Sequence, residues 1–127
     1  MKKLLIASAL GLGMLLPSVH AMADDAPYAI PESELQDAQW QFWQDRQDET
    51  RYYRVKDAGS RHGIWIKEVD KDDGDVTYKH YRTDCSGGSV VKDAKIEVEH
   101  GTVERKSKYD PVDKPKKADA LRSLICR

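Results

Sequence analysis

The sequence predicts an α+β domain: an antiparallel sheet of about six strands, a C-terminal helix packed on one face, and one disulfide. Three observations carry this. From about residue 39 apolar and polar residues alternate with period two, between turn signals roughly 8–12 residues apart. Near the C-terminus Ala118, Leu121, Leu124 and Ile125 return at helical spacing. The sequence holds two cysteines, Cys85 and Cys126, an even count that lies beyond a leader-like segment.

The leader is expected over residues 1–23. Lys2 and Lys3 precede an apolar run of thirteen residues, Leu4 to Leu16, which Pro17 ends. As a helix that run rises about 20 Å, short of the ~30 Å hydrocarbon core of a bilayer. Small residues at Val19-His20-Ala21 and Ala21-Met22-Ala23 suit signal peptidase, so cleavage after Ala21 or Ala23 is expected. No cysteine follows the run to take a lipid, and no second apolar run exists, so no integral membrane segment is expected after cleavage. The expected location is the periplasm, the medium or the cell surface. In such an oxidising compartment Cys85 and Cys126 read as one disulfide, with two free thiols as the alternative. A loop of about 42 residues closed this way gains about 4 kcal/mol in the chain-entropy model. That matters, because only 20 Leu, Ile, Val, Phe and Trp residues follow position 23.

The mature chain divides into an acidic, Pro-containing segment over 24–38, expected to be flexible, and a single domain over 39–127. Leu35, Ala38 and Phe42 also fit a helical turn or two before Trp40. Strands are expected at Trp40 to Phe42, Arg51 to Lys56, Ile64 to Val69, Val76 to Thr83, around Ile96 and Val98, and at Val103 to Lys108. Arg46 to Glu49, Asp57 to Ser60, Asp70 to Asp75, Ser86 to Ser89 and His100-Gly101 separate them as turns. After the breakers Pro111 and Pro115 a helix is expected over about 116–126, with Arg122 and Arg127 near its negative end.

Alternate residues of a strand share a face. Strand by strand, a core face collects Trp40, Phe42, Tyr53, Val55, Ile64, Ile66, Ile96, Val98 and Val103. The opposite face collects Trp43, Tyr52 and Trp65 among Arg54, Lys56 and Lys67. If one helix covers only the core face, Trp43, Tyr52, Trp65, Arg54 and Lys67 form an aromatic–basic partner-binding surface or a homodimer contact. Cover by loops or by the N-terminal segment is the other outcome.

Composition narrows the function classes. Export removes Lys2 and Lys3, leaving 19 of the 21 basic residues against all 22 acidic ones. This excludes a nonspecific nucleic-acid binder, which needs a large basic excess. Arg105, Lys106, Lys108, Lys114, Lys116 and Lys117 form a basic stretch that suits acidic partners, diluted by Asp110, Asp113 and Asp119. The Asp70 to Asp75 loop fails as an EF-hand: with Gly74 at position 6, Val69 falls at position 1 and His80 at 12. His62, His80 and His100 make no HxH or HxxxH pair, so no metal site or cofactor is expected. No GxSxG occurs around Ser86 or Ser89, and no catalytic residue is assigned.

The order of motifs resembles the surface-adhesin protein E family of Gram-negative bacteria. The residues that carry it are Trp40-Gln41-Phe42-Trp43, Arg51-Tyr52-Tyr53-Arg54-Val55, Gly63-Ile64-Trp65-Ile66-Lys67, Tyr81-Arg82-Thr83-Asp84-Cys85 and Leu124-Ile125-Cys126. The resemblance spans roughly residues 39–126. It implies a small sheet with a helix held by Cys85 and Cys126, often a dimer, and binding of matrix or serum proteins such as vitronectin, laminin or plasminogen. The chain departs from the family in having no lipidation cysteine and in placing Tyr109-Asp110-Pro111 and Lys114-Pro115 before the helix. The expected function is therefore an exported, non-catalytic binding protein. The alternative is a periplasmic envelope factor that binds an endogenous partner or inhibits an enzyme such as lysozyme.

Overall fold

A computed structural model describes residues 29–127; the leader and its two cleavage sites lie outside the described residues. The elements run α1 (Glu32–Gln36), β1 (Trp40–Asp45), β2 (Glu49–Arg54), a 3₁₀ turn (Val55–Asp57), β3 (Ile64–Asp70), β4 (Val76–Thr83), β5 (Val90–Glu99), β6 (Thr102–Pro111) and α2 (Pro115–Ile125). The six strands form one antiparallel sheet in sequential order, each joined to the next. This is the sheet, C-terminal helix and disulfide that alternation, helical spacing and cysteine count predict.

Short connections dictate the meander, since antiparallel neighbours need only a hairpin between them. His100 and Gly101 both hold positive φ, 51° and 83°, which lets a two-residue turn join β5 to β6 with the right twist. Gly63 is required for a different reason. Its φ is 118°, and a Cβ there would stand 2.4 Å from the Tyr81 carbonyl oxygen and 2.7 Å from His80 Cε1. Only a glycine lets the start of β3 lie this close to β4.

Each face of the sheet has its own core. On one, Ala118, Leu121, Leu124 and Ile125 of α2 pack on Ile64, Ile66, Tyr81 and Val90, flanked by Trp43, Tyr53 and Val112. On the other, Leu35 of α1 packs on Trp65, Tyr78, Ala94 and Ile96, flanked by Ile30, Trp40, Val76 and Val98. The Cys85–Cys126 disulfide, with Cα atoms 5.6 Å apart, fastens the end of α2 to the chain just past β4. The Gly59 amide donates to the Leu124 carbonyl at 2.9 Å, and Arg122 Nη2 donates to the Gly88 carbonyl at 3.0 Å. The same end of the helix is thus held at three points.

The expected division of faces is corrected. Trp40, Ile96 and Val98 do not lie under the C-terminal helix; they share the far face with Trp65. Trp43, placed by parity on the open face, packs against the α2 core, and Phe42 points the other way and is 54% exposed. Register decides this: Tyr52 pairs with Lys67, Lys67 with Tyr78 and Tyr78 with Ile96, which aligns these residues and sets Ile64 and Ile66 opposite them. Parity within one strand says nothing about its phase relative to the next. Val55 and Val103 are also exposed, because Val55 opens the 3₁₀ turn and Val103 lies on an edge strand.

The described part of the segment expected to be flexible is ordered by three contacts. Trp40 Nε1 donates to the Leu35 carbonyl at 2.9 Å, Arg54 pairs with Glu34 at 3.1 Å, and Arg105 Nη1 donates to the Ile30 carbonyl at 2.7 Å. Leu35 is fully buried as a result. At the opposite edge all ten residues of β6 are exposed, and Glu104, Arg105, Lys106 and Lys108 make it a charged edge that disfavours strand addition.

Removal of the clasp should expose how much the helix depends on it. A Cys85→Ser/Cys126→Ser variant is expected to lose about 4 kcal/mol, read as a lower denaturant midpoint. Adding reductant to the parent chain should reproduce the loss and leave the variant unchanged.

Candidate binding surface

Five residues were expected to share an exposed surface: Trp43, Tyr52, Trp65, Arg54 and Lys67. The structure keeps Tyr52, Arg54, Trp65 and Lys67 on the far face, with Tyr52 and Lys67 half-buried and in contact, and separates Trp43 from them. Trp43 belongs to the α2 side. Trp65 is 1% exposed, and Arg54 is 7% exposed. Both are largely buried, Trp65 under Leu35 of α1 and Arg54 against Glu34 and Asp57.

What remains at the surface is a corner built by β1, β2 and β3. Phe42 pairs with Tyr52 across the β1–β2 ladder, and their rings meet edge to face at 6.3 Å. Lys67 Nζ sits 5.1 Å from the centre of the Tyr52 ring and 5.3 Å from that of Trp40. Trp40 in turn stacks on Tyr78 at 5.7 Å. Burial lowers the pKa of Lys67, so its ammonium relies on the ring faces in place of part of its water. The result is a row of aromatic groups with a cation held between them and Phe42 at the open end. Sequence reasoning placed Phe42 in the core; only its position on edge strand β1 indicated exposure.

Arg54 serves the architecture. Its Nε and Nη2 donate to Asp57 Oδ2 and Oδ1 at 2.9 and 3.1 Å, a bidentate pair, and Nη1 donates to Glu34 at 3.1 Å. Asp57 Oδ2 also accepts the Trp65 N–H at 3.0 Å. Burial opposes the Arg54 charge, but the two carboxylates outweigh it and hold the guanidinium above its ordinary pKa. The sequence pattern makes Asp57 a turn residue; its spacing from Arg54 is the available signal for the pair.

Beside this lies a cavity of about 910 Å³, lined in part by Arg54, Trp65, His80, Arg82 and Asp93. His80 Nδ1 is 2.7 Å from Asp93 Oδ1, and Arg82 Nε is 3.2 Å from Asp93 Oδ2. Asp93 reaches both because it is the extra residue of a bulge: His80 pairs with Ala94 and Tyr81 with Lys92, leaving Asp93 between them. No pattern in the sequence singled it out. A carboxylate-held imidazole is half of a general-base arrangement. A nucleophile would need to be in hydrogen-bond reach, and among the described residues no hydroxyl or thiol bonds to His80. Among the described residues no group of three or more His, Cys, Asp or Glu side chains could hold a metal ion, and no helix is long and apolar enough to cross a membrane.

The Arg54 assignment has a direct check. Arg54→Met strands the buried Asp57 carboxylate and should cost about 3–5 kcal/mol in denaturant unfolding. Arg54→Met/Asp57→Asn should recover part of that, since the amide still accepts the Trp65 N–H without a charge. A loss below about 1 kcal/mol for the single variant would show that the pair does not hold the fold.

No protein-family model, curated protein or solved structure matches this chain.

Proposed function

We propose that this chain is an exported, non-catalytic binding protein of the surface-adhesin E type, and that it holds a host matrix or serum protein against the corner of Phe42, Tyr52 and Lys67. The observation that carries this is Phe42, a large apolar side chain 54% exposed on an edge strand and braced against Tyr52 beside a half-buried cation. Aromatic groups flanked by a cation are the side chains that dominate protein–protein affinity when a partner desolvates them. The disulfide supports export, because such bonds persist in oxidising compartments. The resemblance in motif order supports the partner class.

Retention of immobilised vitronectin, laminin or plasminogen by the purified protein is the test. Phe42→Ser/Tyr52→Ser should cut retention by about tenfold or more while changing stability by about 1 kcal/mol or less. Trp65→Ala should instead lose about 3–5 kcal/mol of stability, because its ring is buried. If the parent chain retains none of the three proteins, the adhesin reading fails. If the double variant retains as much as the parent, the corner is not the site.

A further inference from the structure

We propose that the cavity between the first turn of α2 and strands β2, β4, β5 and β6 is a binding site for a phosphate or sulfate group carried on a small molecule. It lies on the α2 side of the sheet, away from the Phe42 corner, and does not depend on the adhesin reading.

The cavity measures about 490 Å³, within the roughly 300–1,000 Å³ of small-molecule sites. Six cations line it: Arg46, Arg51, Lys92, Lys114, Lys116 and Lys117. The carboxylates in its wall are Asp110 and Asp113. Asp110 is taken by Lys92 at 3.3 Å. Arg51 pairs with Glu49 and donates to Gln44 Oε1 at 3.0 Å. No described carboxylate pairs with Arg46, Lys114, Lys116 or Lys117. The chain therefore concentrates positive charge in a concavity and leaves most of it uncompensated.

Lys117 separates this cluster from an ordinary solvated basic surface. It is half-buried, with Nζ 5.5 Å from the centre of the Tyr81 ring. The groups facing it are Arg51 from β2, Glu68 from β3, Lys79 from β4 and Lys92 from β5. Glu68, the one acid in that set, is 2.8 Å from Lys79 and so is already engaged. Burial first, and then repulsion from Lys79, Arg51 and Lys92, lowers the Lys117 pKa to about 8. An ammonium that has lost water and gained no counter-ion is stabilised by an anion brought to it. The guanidinium of Arg46 offers a planar fork for an oxyanion, Arg51 adds positive charge although its donors already face Glu49, Glu68 and Gln44, and the lysines add point charges around it. Pro111 and Val112 give the wall an apolar part, and the volume leaves room beyond a single oxyanion for the rest of a molecule.

This grouping is tertiary. Of the basic stretch seen in the sequence, Arg105 donates to the Ile30 carbonyl on the far face and Lys106 lies 3.9 Å from Glu97 and Glu104. Lys114, Lys116 and Lys117 are joined here by cations from earlier strands.

The experiment is an NMR titration of the purified protein at low salt with inorganic phosphate, sulfate and pyrophosphate, each against chloride at equal ionic strength. The expected result is saturable shifts confined to the residues lining this cavity, Arg46, Arg51, Lys92, Lys114, Lys116 and Lys117 among them, with a dissociation constant of about 1 mM or tighter for at least one anion. Preference for phosphate marks a phosphate ester as the ligand group; preference for sulfate marks a sulfate ester. Binding should raise the Lys117 titration midpoint above its free value, and affinity should fall as pH rises through about 8. Lys92→Gln/Lys117→Gln should weaken binding about tenfold or more. Lys116→Gln, at an exposed position, provides a second variant that should also weaken it with the fold intact. The proposal is overturned if no anion exceeds chloride, if the shifts centre on the His80 cavity, or if both variants bind as the parent does.

Discussion

The buried guanidinium of Arg54 joins the pieces that would otherwise separate. Through Asp57 it holds the 3₁₀ turn and the Trp65 amide near the start of β3, and through Glu34 it holds α1. A charge this deep is tolerated because two carboxylates and the fork geometry of arginine meet its donors. The far face depends on this arrangement. Without α1 in place Leu35 leaves, and Trp65, Tyr78 and Ile96 lose their cover.

The two faces are closed by unlike means. α2 is eleven residues long and brings four buried apolar side chains, so hydrophobic contact with Ile64, Ile66, Tyr81 and Val90 does most of its docking. The disulfide then limits the unfolded chain and fixes the end of the helix. α1 is five residues long and buries a single leucine, too little to stand alone. Hydrogen bonds from Trp40, Arg54 and Arg105 supply what its apolar contacts lack. Cover that short stops before the β1 edge, and this leaves Phe42 and Tyr52 open.

The same economy shapes the charge. With most apolar residues spent on two thin cores, the rest of the α2 side of the sheet is ionic: Glu68 and Lys79, Lys92 and Asp110, Lys95 and Glu97. Beside the first turn of α2 that pairing gives way: Lys117 has a ring and three cations for neighbours, and the one acid facing it, Glu68, is engaged by Lys79. Local imbalance against a paired background is what gives that cavity chemical direction.

The sequence by itself did not determine α1 or the 3₁₀ turn at Val55–Asp57. It determined the six-strand antiparallel pattern, most of the turn positions, the helix stripe at Ala118, Leu121, Leu124 and Ile125, and the expectation of one Cys85–Cys126 disulfide. These follow from local periodicity, turn chemistry and a count of two. Tertiary structure alone decided which face each strand presents, because face depends on register between strands and on the bulges at Trp43 and Asp93. It therefore also decided that Trp65 and Arg54 are interior, that Phe42 is outside, and that His80 meets Asp93. A pattern with period two is blind to its own phase, and every contact between distant segments is set by that phase.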